Sequence, residues 1–353
     1  MQMLSKNSFL LRLTLIALLG VAVLLNSCSG DFDDNDTPDK STYGSEDLLD
    51  DDPVDDDTGS DDDIDDDGDD DADDDADDDM EFKDFSVLYF DVGLGDSMLI
   101  AIPDGEVMRH ILIDGGSVGE GRYAICPVLE QLGIETLDIM IVTHPHFDHC
   151  GGLTEVFDCV EVTEVWENGD ELPGEDAWDA YVPARDDWGG EVFNPAFGYV
   201  DYIGQAALRV LVTLSDFETV NDNSMFVSIS YDGKSFLFGA DSEVAAQTYL
   251  AAAWPDLITS DILKIPCHAG PSAQDFVDAA AAPIGIVSVG ENSLGYPYQT
   301  TLDAYEATGM DVYITEETGN ILATINEDGE IELTMPFPPE EDTKSPNDLT
   351  PLL

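Results

Sequence analysis

The chain has 353 residues, is 43% hydrophobic, and carries 11 Lys and Arg against 78 Asp and Glu, for a formal charge of −67. Length and hydrophobic share suffice for a substantial core, while so acidic a surface repels polyanions and argues against tight binding of long nucleic acid through basic patches. The excess is distributed, with 28 acids and one base (Lys40) in residues 31–80 and 50 acids and 8 bases in residues 81–353, which suits bound cations or a saline medium that screens the self-repulsion.

Lys6 and Arg12 precede and interrupt the apolar run "FLLRLTLIALLGVAVLLNSC", giving the charged and apolar regions of a secretory signal. The run approaches membrane-spanning length, so an uncleaved anchor is the other reading. Its end, "LNSC", resembles a bacterial lipoprotein processing site. That resemblance implies a signal peptide over residues 1–28, lipid on the thiol of Cys28, and an exported chain tethered to the outer membrane or cell surface. Residues 29–80 read as a disordered, Asp-rich stalk: with almost no apolar side chains they bury too little to offset ordering entropy, and like charges extend them. The stretch "DIDDDGDDD" has the Gly of a calcium loop but no matching distal Glu.

From residue 85 the texture changes. "FSVLYFDV", "SMLIAI" and "HILIDGG" read as strands, "AICPVLEQLGI" as a helix with a Gly stop, and "LDIMIVT" as a buried strand. "GGLTEVF" opens another helix. Residues 166–205 are aromatic but aperiodic and read as a long loop, its aromatics either core packing or a stacking surface for a ligand. "ALRVLVTL", "MFVSISY" and "SFLFGAD" then read as strands, the last two joined through Asp232-Gly233, a hairpin signal. "EVAAQTYLAAAW" is a helix and "DILKIPCHAG" a strand running into a turn. "AQDFVDAAAA", "IGIVSVG" and "LDAYEATG" follow as helix, strand and helix; "DVYIT", "NILATIN" and "EIELTM" are short strands. Two blocks of strands with interspersed helices predict two sheets packed face to face with helices outside. Besides Cys28, the cysteines are Cys126, Cys150, Cys159 and Cys267, an even number that permits disulfides or buried free thiols.

Three of the five histidines fall in "THPHFDHCGG", residues 143–152. Residues two apart in an extended segment point the same way, so His144 and His146 can converge on one ion. Asp148 and His149 follow where the chain turns toward a helix and can face a neighbouring ion. Imidazole and carboxylate suit Zn(II), Fe or Mn. A chance polar cluster fits poorly with the intervening Pro145 and Phe147, the buried strand before and Gly151-Gly152 after.

The pattern H-x-H-x-D-H-x-G-G after a Thr-ended strand resembles the signature of the metallo-β-lactamase superfamily. Further segments resemble its competence-protein ComEC-like branch in order: "YFDVGLGDSMLI", with Leu94 where Gln is usual; "ILIDGG"; "NDNSMFVSISYDGKSFLFGAD", with Ala240 where Gly usually precedes Asp241; "DILKIPCHAGPS"; and "PIGIVSVGENSLGYPYQ". The resemblance implies an α+β fold, the four-layer αββα sandwich, over residues 81–337, with 338–353 a loose tail. It implies two divalent metal ions, Zn first with Mn or Fe as alternatives. His144 and His146 would hold the first ion, Asp148, His149 and His268 the second, Asp241 would bridge, and Asp114 would orient an imidazole from behind. The plainer roles are a turn-initiating Asp114, a helix-capping Asp241 and a strand-packing His110.

The chain also departs from the branch. Cys267-His268 replaces the usual pair of histidines, and Tyr296 stands where "GHP" is expected. The third donor to the first ion is thereby open, with Asp222, Asn223, Cys267 or water as candidates; Cys267 is equally a small buried hydrophobe. The function implied is a metal-dependent hydrolase of a small or cell-envelope phosphodiester or other ester, acting through a metal-bound hydroxide. Asp148 or a metal-bound water would handle protons, and Tyr296 would donate to developing charge. The rival expectation is a surface lipoprotein that binds metal but is catalytically impaired.

Overall fold

The computed structural model describes residues 82–211 and 217–335. The signal segment, Cys28, the stalk and the tail lie outside them. Among the described residues no helix is long and apolar enough to cross a membrane.

The first sheet runs β15-β14-β1-β2-β3-β4-β5-β6, from Ile331–Thr334 and Ile321–Ile325 through Ser86–Tyr89, Met98–Asp104, Val107–Ile113, Thr136–Val142 and Glu161–Glu167 to Glu191–Phe193. The second runs β13-β12-β11-β10-β9-β8-β7, from Asp311–Ile314 through Ile284–Val287, Ile262–Lys264, Lys234–Phe238, Val227–Tyr231 and Ala206–Val210 to Val200–Ile203. Each sheet repeats one plan: antiparallel pairing through its early strands, then parallel pairing where helices make the crossovers.

The alternation of side chains along each strand decides the layers. Val87, Tyr89, Ile100, Ile111 and Ile141 face Leu208, Val227, Ile229, Phe236 and Phe238 of the other sheet. Their neighbours Leu88, Leu99, Leu112 and Met140 face outward and are covered by α1 (Cys126–Gln131), α3 (Leu153–Cys159), which follows the single turn α2 (Phe147–Cys150), and α4 (Asp176–Trp188). Leu237, Leu263 and Val287 are covered on the other side by α5 (Val244–Ala253), α6 (Pro255–Ile258), α7 (Gln274–Ala280) and α8 (Gln299–Glu306). Three apolar layers between four structural ones make the αββα sandwich, and burial on both faces explains why the central strands read as unbroken apolar runs.

Two details differ from the sequence expectation or sharpen it. Residues 166–205 are not a loop: they finish β5, form the 13-residue α4, and supply β6 and β7. Helix α4 escapes pattern reading because it buries only Ala177, Trp178 and Tyr181 and carries Pro183 inside; its stop, Gly189 at φ 72°, is the usual left-handed terminator. The aromatics there mostly pack on one another, Trp166 edge-on to Phe193 and Tyr199, although Tyr202 is exposed. Cys126 and Cys159 form a disulfide that ties α1 to α3, Cys150 is a buried free thiol, and Cys267 is not a free thiol.

Candidate metal centre

Four strands deliver the site from their carboxyl ends, two from each sheet. Asp114 follows β3, His144 follows β4, Asp241 lies just beyond β10 and His268 just beyond β11. Backbone hydrogen bonds weld the turns on the first sheet together: Asp96 N–H to Asp148 C=O (3.1 Å), Gly115 N–H to His149 C=O (2.8 Å) and Gly152 N–H to Gly116 C=O (3.1 Å). A Cβ at Gly152 would lie 2.1 Å from the Gly115 carbonyl, so only glycine allows the approach.

The donors converge in two groups. His144 Nε2 and His146 Nδ1 are 3.0 Å apart. Asp148, His149, Asp241 and His268 form the other group, all four buried. There His149 Nε2 lies 3.3 Å and His268 Nε2 3.2 Å from Asp241 Oδ1, and His268 Nε2 lies 3.4 Å from Asp148 Oδ2. Donors bonded to one tetrahedral ion at about 2.0–2.1 Å sit about 3.3–3.4 Å from each other, so these spacings fit a shared cation. His149 Nε2, His268 Nε2 and Asp241 Oδ1 are buried without a hydrogen-bond partner, a cost that a metal removes.

The second nitrogen of each imidazole is used to aim it. His149 Nδ1 donates to Asp114 Oδ2 (2.8 Å), and His268 Nδ1 to the Ser288 carbonyl (2.8 Å). Asp114 also accepts the Thr143 N–H (2.8 Å) and hydroxyl (2.6 Å), and that hydroxyl lies 3.1 Å from His144 Nδ1. The tautomers that follow leave each Nε2 lone pair pointing into the site. Asp114 therefore orients rather than merely starting a turn. Asp241 does not cap α5: Asp222 accepts the N–H groups of Glu243 and Ala246 there, both at 3.0 Å.

The electrostatics match. Burial opposes charge on His149 and His268, but the carboxylates around them, Asp241 foremost, raise both; His268 reaches about 10. Burial, with His149 and His146 next, holds His144 well below the usual histidine range. Desolvation alone would raise Asp241, yet His268 and His149 hold it well below the ordinary carboxylate range. The carboxylates gathered here thus favour positive charge in the cavity, which a bound cation would supply.

The sequence-derived candidates divide. His144, His146, Asp148, His149, Asp241 and His268 come together, with Asp114 behind them. Tyr296 is 7% exposed with its ring 6.2 Å from that of His268. Cys267 packs in the apolar layer over the second sheet and is absent from the donor group. Asn223 binds the Phe217 backbone. His110 is a strand residue paired with Ala101, away from the centre.

Sequence reasoning passed over Asp96 and Lys264, a fully buried ion pair at the floor of the site. Asp96 lies 3.7 Å from His268 Nδ1 and 4.0 Å from His149 Nδ1, and Lys264 also donates to the Ala240 carbonyl (3.3 Å). A lone lysine inside the apolar "DILKIP" was the available signal. Backbone strain collects here too: Asp114, Ala240, Cys267, His268 and Ala269 all have φ between 44° and 58° without being glycine, the kind of stored cost found at functional sites.

A model of the Metallo-beta-lactamase superfamily matches residues 90–290. The chain is 25% identical over 251 residues to ComE operon protein 3 of Bacillus subtilis (strain 168), covering 65% of this chain and 32% of that protein. It is 22% identical over 248 residues to Competence protein ComA of Neisseria gonorrhoeae, covering 67% and 32%. It therefore spans about a third of the length of these relatives. Among solved structures it is similar to the metallo-beta-lactamase fold protein YhfI from Bacillus subtilis, with 14% identity, a TM-score of 0.42, and coverage of 71% of this chain and 100% of that one. With the matched region covering more than half of its residues, the chain belongs to the metallo-beta-lactamase superfamily and is a ComEC-like member of it.

Proposed function

We propose that the protein is a dinuclear metal-dependent hydrolase of a small or cell-envelope phosphodiester or other ester, with Zn as the first candidate metal and Mn or Fe as alternatives. The observation that carries this is the pair of donor groups, three of whose buried atoms are unsatisfied without a cation. His144 and His146 would hold one ion, Asp148, His149 and His268 the other, with Asp241 between them. When bound, the ions supply Lewis acidity and lower the pKa of a water.

The chain's own groups do the rest. Asp148, buried among the donors, would also accept a proton during the reaction. Burial, followed by the neighbouring Tyr298 and the Asp241 and Glu243 carboxylates, pushes the Tyr296 hydroxyl up, so it stays protonated and acts as a donor to developing negative charge. The acidic surface favours a small substrate over long nucleic acid. Export as a lipid-anchored protein is supported by the N-terminal sequence and by the Cys126–Cys159 disulfide, which suits an oxidising compartment.

The second reading, a metal-binding protein with impaired catalysis, is favoured by Cys267 lying in an apolar layer where the branch places a histidine. One experiment separates the two. About two ions per chain, with hydrolysis of bis-p-nitrophenyl phosphate that is lost in His146→Ala, supports the hydrolase. Metal without hydrolysis of this or a carboxylic ester probe selects the second reading, and no metal after supplementation overturns both.

A further inference from the structure

The dinuclear reading leaves the first ion with two imidazoles and a shared carboxylate. The residues first considered for its remaining donor are otherwise engaged. Both oxygens of Asp222 accept hydrogen bonds, Oδ1 from the first turn of α5 and Oδ2 from the Thr219 hydroxyl. Asn223 uses its amide oxygen and amine on Phe217. Cys267 belongs to the apolar layer.

Their neighbour Asn221 differs. It is 2% exposed and starts the short turn Asn221–Asn223. The turn is pinned against the strand end that carries His144, because Met225 N–H donates to the Thr143 carbonyl at 2.9 Å. Asn221 Nδ2 donates to Glu243 Oε1 at 3.1 Å. A carboxylate accepts only, so this bond fixes which end of the amide is which. Asn221 Oδ1 is left buried with no hydrogen-bond partner, a deficit of about 1–3 kcal/mol unless something meets it.

We propose that Asn221 supplies, through Oδ1, the third protein donor of the first metal ion beside His144 and His146, and that Glu243 holds the amide in this orientation. A carboxamide oxygen is a competent neutral ligand for divalent ions. Donation from Nδ2 to a carboxylate enriches the oxygen and fixes its direction, as partners behind ligands generally do. The Asn221 side chain lies beside that of His146. The inference rests on the dinuclear reading and adds a ligand from outside the histidine motif.

The test is stepwise titration of the metal-free full chain with Zn(II) against a chelating dye, with thermal melts by circular dichroism alongside. The expected result for Asn221→Ala is loss of about 10- to 100-fold affinity in one step, the step lost in His146→Ala, with the step lost in His268→Ala unchanged. Asn221→Asp, which keeps an oxygen donor and adds charge, is expected to hold that ion at least as tightly as wild type. Wild-type behaviour of a folded Asn221→Ala in both steps overturns the assignment. If the alanine variant fails to fold, loss of the ion in a folded Asn221→Asp overturns it, and its retention there sustains it. A wild-type chain that binds no metal defeats the underlying reading as well, a separate and distinguishable failure.

Discussion

Lys264 and Asp96 pair with both side chains wholly out of solvent, beneath the histidines that would hold the second ion. Breaking a buried pair by removing one partner costs about 3–5 kcal/mol, because a charge is stranded. Lys264→Met is expected to lower the urea unfolding free energy by that amount. Lys264→Met with Asp96→Asn is expected to recover much of the loss. A double variant no better than the single one would show that the pair acts through something other than charge compensation.

Asp114 is expected to matter for metal far more than for folding. Asp114→Asn keeps the shape, but its amide accepts at one end only, so it loses either the Thr143 N–H bond or the pair from the Thr143 hydroxyl and His149 Nδ1. Loss of such a partner weakens metal binding by about 10- to 100-fold. Chelator competition on the folded variant measures this, and unchanged affinity would mean that His149 keeps its tautomer unaided.

Glu120 gives a pH signature away from the donors. Burial, then the carboxylates of Asp91 and Glu155, raises it from 4.5 to about 7. Between those values the folded chain holds a proton that the unfolded chain has released, so this contribution to stability is present below pH 4.5 and is lost as pH rises through 7. Glu120→Gln stays neutral. Its melting temperature is expected to match wild type near pH 4.5 and to exceed it above pH 7.

The Cys126–Cys159 bridge closes a loop with a sequence separation of 33. A crosslink of that span stabilises by about 3–4 kcal/mol through the unfolded chain. Adding a reductant, or making the Cys126→Ala, Cys159→Ala double variant, is expected to lower the melting temperature by several degrees while leaving metal stoichiometry intact. Loss of metal on reduction would instead tie α1 and α3 to the integrity of the 143–152 loop.

Much of this molecule is legible before folding because its signals are local. His144 to His149 supply four donors in six residues, and the central strands show because they are apolar on both faces. Asp241 and His268 are visible only through resemblance, since nothing near either one marks it as a ligand. Asp96 and Lys264 stay hidden because a buried charge is explained only by its partner on the other sheet. Helix α4 stays hidden because its buried stripe is narrow and Pro183 interrupts it. The left-handed run Cys267–Ala269, with φ of 52°, 50° and 58°, has no glycine to announce it. Asn221 is one amide in a polar turn until the direction of its hydrogen bond is known.

The site draws His144, His146, Asp148 and His149 from strand ends of one sheet and Asp241 and His268 from the other. Neither sheet brings the complete donor set, so a metal centre can assemble only when the two sheets close on each other. A bound cation would work as a rivet between them: it would favour the assembled state according to its affinity and concentration, and a half-opened chain would lack the site.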